Sequence, residues 1–326
     1  MVHVLDVVSG GPRWSLPRNC EEESMAKLFK RFVGFIAGTL IIGITIWVIL
    51  QSGGETPSSS EYDLLIEGIK YADVLLHSYS TSVRQQNIEY ISMWGDKLEK
   101  PRITEYWGEF QASGPMKRMI RYHYYDEEFK GVKRKVLQSQ EYRFDGEKII
   151  ETIRRKREGG RSTSERHIFS PARDPFKAAE FDPRYWLTYF GTPIGEYVER
   201  YGASFHKERI DGQTYYRLVI TRPEKTVQLL ISPSEGYRPV EIVNQLSGRR
   251  SVVQVVLDRY TDSIWYPVKV KAQYFSEVDG KEVLITEKVV EFSEFEANED
   301  IPFGMFQMPT NEVDWVMDHR EGKIRR

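Results

Sequence analysis

The sequence predicts a mainly β protein of the α+β class, a large curved antiparallel sheet or unclosed β-barrel with an N-terminal helix and a short mid-sheet helical insertion, preceded by one transmembrane helix. Three observations support this. Residues Phe32 to Leu50 form an uninterrupted apolar run in a 326-residue chain that is otherwise rich in charge. From about Thr81 the hydrophobic pattern takes a period of two, punctuated by Asp-Gly pairs. Asp182-Pro183 and Thr192-Pro193 then open two short helical patterns inside that alternation.

The apolar run comes first. At about 1.5 Å per residue it spans roughly 28 Å, close to the ~30 Å hydrocarbon core of a bilayer. Lys27, Lys30 and Arg31 precede it, whereas Gln51, Ser52, Gly53, Gly54 and Glu55 carry no positive charge. The positive-inside bias therefore places the N-terminus in the cytoplasm and the rest of the chain outside. Val48 to Gly53 offers a poor cleavage site, so a retained anchor is expected rather than a signal peptide. Leu16-Pro17-Arg18-Asn19 before Cys20 is not a lipobox.

The expected organisation is a short cytoplasmic segment over 1–31, the membrane span over 32–50, a flexible tether over 51–60 and an exported domain over 61–326. Residues 1–24 carry no pattern, and Met25 to Arg31 reads as the natural start of an anchored chain. The Gly/Ser/Pro/Thr-rich tether spans about 16–19 Å as a coil, which keeps the domain beside an inner membrane, on its periplasmic side.

Leu65, Ile69, Ala72 and Leu76 at helical spacing predict an amphipathic helix from Glu61 to about Ser78, with Ser60 and Asp63 placed as a capping box. The strands follow. Met116, Ile120, Tyr122 and Tyr124 share one parity and Lys117, Arg121 and His123 the other; Tyr216, Leu218 and Ile220 alternate likewise. Further strands run through Val227 to Ile231, Val240 to Ile242 and Val268 to Tyr274. Asp145-Gly146, Asp211-Gly212 and Asp279-Gly280 predict two-residue hairpin turns, so successive strands should be antiparallel, about ten in all. In the interruption, Tyr185, Trp186, Leu187 and Phe190 make one helical face before Gly191, and Ile194 to Tyr201 make a second short helix ended by Gly202. Helices inserted there must cover a sheet face or plug an open end.

Composition excludes several classes. Lys and Arg number 46 against 48 Asp and Glu, a balance unlike the basic face that nucleic acid needs. The single cysteine, Cys20, precedes the apolar run, so no disulfide staples the exported part. The six histidines show no metal-ligand spacing, and no nucleophile elbow, P-loop or dinucleotide fingerprint occurs. No cofactor, metal or catalytic residue is expected, and the chain reads as a non-enzyme. Asp126-Glu127-Glu128 reads as a solvated turn, and Asp318-His319-Arg320 is far weaker than a triad. Arg154-Arg155-Lys156-Arg157 reads as a loop, whose target, if it has one, is an anionic lipid head group. The aromatic load includes Trp107, Phe110, Tyr122, Tyr124, Trp186 and Phe190, residues suited to a core or to an apolar ligand pocket.

The order of elements resembles a known family. An amphipathic helix, a long meander, a helical interruption, then Val227-Gln228-Leu229-Leu230-Ile231-Ser232-Pro233 leading to Gly236-Tyr237-Arg238-Pro239-Val240, is similar to the outer-membrane lipoprotein-sorting proteins and the LolA/LolB-type lipoprotein carriers. The C-terminal Phe292-Ser293-Glu294-Phe295, Asn298, Ile301-Pro302, Phe306 and Met308-Pro309 are similar to that superfamily's closing strand and Pro-containing tail. The resemblance implies an unclosed barrel whose helices cover a cavity for acyl chains. It departs in the membrane anchor and in Pro309-Thr310-Asn311, which stands where the family has a Pro-Gly pair.

The leading expectation is a tethered envelope protein that binds lipid or lipoprotein acyl chains. Its partners would be the membrane, those chains and an envelope protein, with no nucleic acid. The cavity candidates are Trp107, Met116, Ile120, Tyr122, Tyr124, Trp186, Leu187 and Phe190. Two alternatives stand beside it, a periplasmic sensor resembling anti-sigma-factor regulators and an envelope enzyme with an unrecognised site.

Overall fold

The computed structural model describes residues 59–91, 97–129, 131–158, 160, 162–171, 180–307 and 313–325. The apolar run, residues 51–58 of the expected tether and the Pro309-Thr310-Asn311 turn lie outside the described residues. Among those described, no helix is long and apolar enough to cross a membrane.

Helix α1 (Ser59–Val74) starts two residues before the expected point and ends earlier. Its buried stripe is Leu65, Ile66, Ile69 and Ala72. Leu76, expected on the same helix, is buried from the connector that follows.

Among the described residues, fifteen strands then form one sheet. The first meander comprises β1 (Ser78–Ile91), β2 (Lys97–Ser113), β3 (Met116–Phe129), β4 (Val132–Phe144), β5 (Ile149–Arg157) and β6 (Thr163–Phe169). After helices α2 (Pro183–Trp186) and α3 (Ile194–Tyr201) comes a second, with β7 (Ser204–Ile210), β8 (Gln213–Arg222), β9 (Lys225–Ser232), β10 (Arg238–Leu246), β11 (Arg249–Arg259), β12 (Trp265–Val278) and β13 (Lys281–Ala297). Strands β14 (Trp315–Asp318) and β15 (Lys323–Arg325) close the chain.

The order β15-β14-β6-β5-β4-β3-β2-β1-β13-β12-β11-β10-β9-β8-β7 leaves the curved sheet unclosed. Each meander runs in its own direction, and the two join where β13 pairs with β1 in the middle. Among the described residues all pairings are antiparallel except β14 on β6. The chain leaving β6 must therefore travel to the opposite edge before β7 can begin. That requirement, more than helix propensity, puts α2 and α3 across a sheet face.

Two apolar clusters fill the helix-covered face. One joins Tyr79, Val83, Phe110, Met119, Val270, Ala272, Val290 and Phe292 to Phe181, Trp186 and Leu187. The other joins Leu65, Ile69, Ile194, Tyr197 and Val198 to Leu218, Ile220, Val227, Leu229 and Ile231. Arg238 ties the end of α1 to the sheet by an ion pair with Asp73 (3.3 Å) and a bond to the Ala72 carbonyl. Burial pushes Arg238 down to about 10 although Asp73 opposes this. It raises Asp73 in turn, against the pull of Arg238.

Four sequence expectations are corrected. The described residues hold fifteen strands, because long polar stretches such as Lys97–Thr104 and Lys133–Lys135 extend as strands by pairing with neighbours rather than by apolar alternation. Asp211-Gly212 and Asp279-Gly280 are two-residue turns with positive φ at both positions (50° and 83°, 52° and 73°). Asp145-Gly146 instead opens a longer loop, in which Asp145 Oδ1 accepts from the amides of Glu147 and Lys148, both at 3.0 Å.

The basic run is strand, not loop. Alternation sends Arg155 to Glu165 (2.9 Å) and Arg157 to Glu127 (2.6 Å), and Arg154 the other way, toward Glu141 (3.6 Å). Glu127 thereby lies within β3 rather than in a free turn. Phe190, finally, is on no helix. Helix α2 is a single turn begun by the Asp182 cap, whose carboxylate accepts from the Arg184 amide (2.9 Å).

Candidate functional site

The segment after α2 turns back on itself in a tight hairpin, with Tyr189 and Thr192 exchanging both backbone bonds at 2.9 and 3.0 Å. Phe190 and Gly191 take φ of 49° and 81° at its tip. A positive φ is ordinary for Gly but strained for a bulky aromatic residue. Phe190 is nonetheless 56% exposed.

Beneath this hairpin, Tyr185, Trp186, Thr188, Tyr189 and Phe190 face Ile242, Asn244, Ser251, Val253 and Tyr274 across a narrow crevice. Register explains the sheet side. Ile242 pairs with Val253, Asn244 with Ser251, and Ser251 with Tyr274, so β10, β11 and β12 present one parity. The crevice has a free volume of about 30 Å³, room for a water or two but not for an acyl chain.

Specific bonds hold it shut. The Tyr189 hydroxyl donates to Asn244 Oδ1 at 2.9 Å, joining the hairpin to β10. The Trp186 indole donates to the Glu180 carbonyl at 2.8 Å. The Glu180 carboxylate accepts from Gln85 Nε2 at 2.8 Å and pairs with Lys288, fixing the start of the helical segment to β1 and β13. Lys225 lies over the Tyr189 ring at 4.6 Å and the Phe190 ring at 5.7 Å.

Burial governs ionisation there. Tyr185 is pushed up to about 12 by burial and then by the Glu180 charge. Tyr189 and Tyr274 are raised for the same first reason. These phenols therefore stay neutral at ordinary pH, and the lining offers hydroxyls and an amide among apolar rings.

Of the eight cavity candidates, Trp186, Leu187 and Phe190 lie at or beside this crevice. Trp186 and Leu187 are buried core, and Trp186 and Phe190 line the crevice itself. The other five are on the opposite face. Phe110 pairs with Met119 and belongs to the covered core, whereas Trp107, three residues earlier, pairs with Tyr122 on the other side. There Trp107 lies 6.0 Å from Tyr122 and 5.4 Å from Tyr124, ring to ring, with Ile120 and Met116 of the same parity. The strand parity that meets Trp186 is that of Met119, so Met116, Ile120, Tyr122 and Tyr124 are corrected to the uncovered face. Strand β3 is amphipathic on both sides, and its pattern alone does not say which side the helices take.

Sequence reasoning missed the sheet side of the crevice. Ile242 and Tyr274 are legible as strand residues, whereas the strand that carries Ser251 and Val253 is not among those expected, and only the register of all three strands with the hairpin makes them a site. Among the described residues, no group of three or more His, Cys, Asp and Glu side chains is arranged to hold a metal.

No family model matches the sequence, and no curated protein matches it. Among solved structures, the chain is similar to a DUF1329 family protein from Desulfovibrio piger, at 12% identity and TM-score 0.39 over 77% of this chain and 97% of that one. A porin-like protein from Bacteroides uniformis aligns at 7% identity and TM-score 0.22 over 65% and 95% of the two chains. The MucA/MucB complex of Pseudomonas aeruginosa aligns at 8% identity and TM-score 0.19 over 72% and 98%. At these scores none of the likenesses carries weight for function.

Proposed function

We propose that this chain is a membrane-anchored envelope protein, held at the inner membrane with its β domain on the periplasmic side, that binds lipid or lipoprotein acyl chains beneath the α2–α3 segment. The observation that carries the reading is the crevice itself, an apolar strip of β10–β12 covered by a short hairpin and one-turn helix rather than by a long packed helix. The space is too small for an acyl chain, so binding requires the segment to lift. A role in lipoprotein sorting or transfer follows from such a site on a tethered domain. Binding rather than catalysis is the reading, because the lining brings together phenols held neutral, one amide and two hydroxyls, with no carboxylate or imidazole to move a proton at neutral pH. Native mass spectrometry of the protein taken from membranes tests it, since a co-purifying lipid is expected and an empty chain under all mild conditions would count against it.

One observation favours a second reading, a sensor that engages another envelope protein. The rings of Trp107, Tyr122 and Tyr124 cluster on the uncovered face, with Lys135 over Tyr124 at 4.8 Å, and Tyr124 is 49% exposed. Aromatic clusters of this kind anchor protein interfaces. Replacing Trp107 with Ala should then abolish capture of the partner while leaving lipid binding intact.

A further inference from the structure

The C-terminal hairpin is attached to the sheet edge by an unusually small set of bonds. Strand β14 has four residues and β15 three, and β14 provides the parallel pairing of the sheet, on β6. At its start, Asp314 Oδ2 accepts from the Ser164 amide at 2.7 Å and from its hydroxyl at 3.2 Å, and the Asp314 amide donates to the Ser164 carbonyl at 3.1 Å. At its far end, the His319 amide donates to the Ile168 carbonyl at 2.9 Å.

There the side chains add a second contact. His167 Nδ1 lies 3.0 Å from His319 Nε2. The ring planes are within 12° and the centroids 5.3 Å apart, so the rings lie end to end with the two nitrogens facing each other along the ring axes. That is the geometry of an N–H···N hydrogen bond and not of two ligands converging on a metal. Phe169 stacks on the His319 ring at 4.5 Å.

An N–H···N bond needs one proton between its two nitrogens. A neutral pair has it, and so does a pair carrying one added proton. With both imidazoles charged, each facing nitrogen bears a hydrogen and the contact becomes repulsive. We propose that His167 and His319 form a proton-sensitive latch that holds the C-terminal hairpin on β6 at neutral pH and releases it when both rings are charged.

The surroundings set how the charge is received. From β6 itself, Glu165 Oε1 lies 3.8 Å from His167 Nε2. From β5, Glu151 stands opposite His167 in register, and Arg155 is paired with Glu165. From β14 and the turn after it come Met317, opposite His167, and the Asp318–Arg320 pair, with Asp145 acting on Arg320 at longer range. The bond accommodates one added proton and not a second, so release belongs to acid pH.

Hydrogen exchange of the full chain in detergent, read by mass spectrometry and corrected for the intrinsic effect of pH, tests this. Protection of residues 313–325 relative to β9 should fall roughly tenfold or more between about pH 7.5 and pH 5 in the wild type. In His319→Gln, which has no second proton to accept, the same ratio should stay level. Unchanged protection in the wild type overturns the proposal, and so does an equal loss in His319→Gln. His167→Gln provides the reciprocal check from the strand side.

Discussion

The Tyr189 hydroxyl and the Asn244 side-chain oxygen, 2.9 Å apart and buried, join the hairpin before α3 to β10. The bond spans the crevice, so it resists the movement that an acyl chain would need. Tyr189→Phe keeps the ring and removes the donor, leaving a buried amide oxygen without it. The expected cost is about 1–2 kcal/mol of stability, together with faster uptake of an acyl probe. Stopped-flow fluorescence and thermal unfolding measured on the same variant would check both; slower uptake would contradict the lid role.

Gly108 shows how closely β2 and β3 approach. A Cβ there would stand 1.8 Å from the Ile120 carbonyl oxygen, a backbone atom that cannot rotate away. Gly108→Ala should therefore destabilise by about 1–3 kcal/mol or more through forced movement of β3. Gly304, with open space around its Cβ position and no positive φ, is the comparison for crowding. Urea unfolding of Gly108→Ala gives the answer, and a wild-type midpoint would mean that the two strands are less close.

Gly212 makes a separate prediction about backbone strain. Asp211 and Gly212 both have positive φ in the β7–β8 turn, and Gly212→Val puts a β-branched residue at 83°. A loss of about 1–3 kcal/mol is expected, although nothing would clash with the new Cβ. The effect should appear in the unfolding midpoint with an unchanged denaturant slope.

Glu141 supplies the pH dependence. Burial favours its neutral form, but Arg143 and Arg118 outweigh that, with bonds at 2.7 to 3.0 Å, and hold the carboxyl below its usual value of 4.5. A depressed folded-state pKa contributes stability that is present above the unfolded value and lost as pH falls through the folded one. The stability advantage of wild type over Glu141→Gln should thus be full above about pH 5 and shrink on acidification below about pH 4.5. A difference that stayed constant down to about pH 3 would show that the charge contributes nothing.

Much of the fold was legible because burial here follows alternation. Leu218, Ile220, Val227, Leu229 and Ile231 are apolar at every second position and all lie in the core. Gly202 ends α3 and Asp182 caps α2 where the sequence placed them. The strands that escaped notice are those stabilised by partners, such as the basic Arg154–Arg157, whose charges are met by Glu141, Glu165 and Glu127 from three different strands. Half of the site was legible for the same reason. Trp186 and Phe190 stand out in any reading, but the face of β3 that shares a cluster with Trp186 depends on which side the chain crosses from β6 to β7, and no local pattern encodes that choice.

The most direct measurement of the central proposal is saturable uptake of a fluorescent fatty-acyl probe by a chain beginning at Glu55, compared with the same chain carrying Ser251→Phe. Ser251 lines the crevice from β11 and is only half-buried, so the larger ring fills the space without disturbing the packed core. The proposal predicts saturable uptake by the wild type and its loss in the variant at an unchanged unfolding midpoint. No uptake by the wild type, or equal uptake by a folded Ser251→Phe, would contradict an acyl site under the α2–α3 segment.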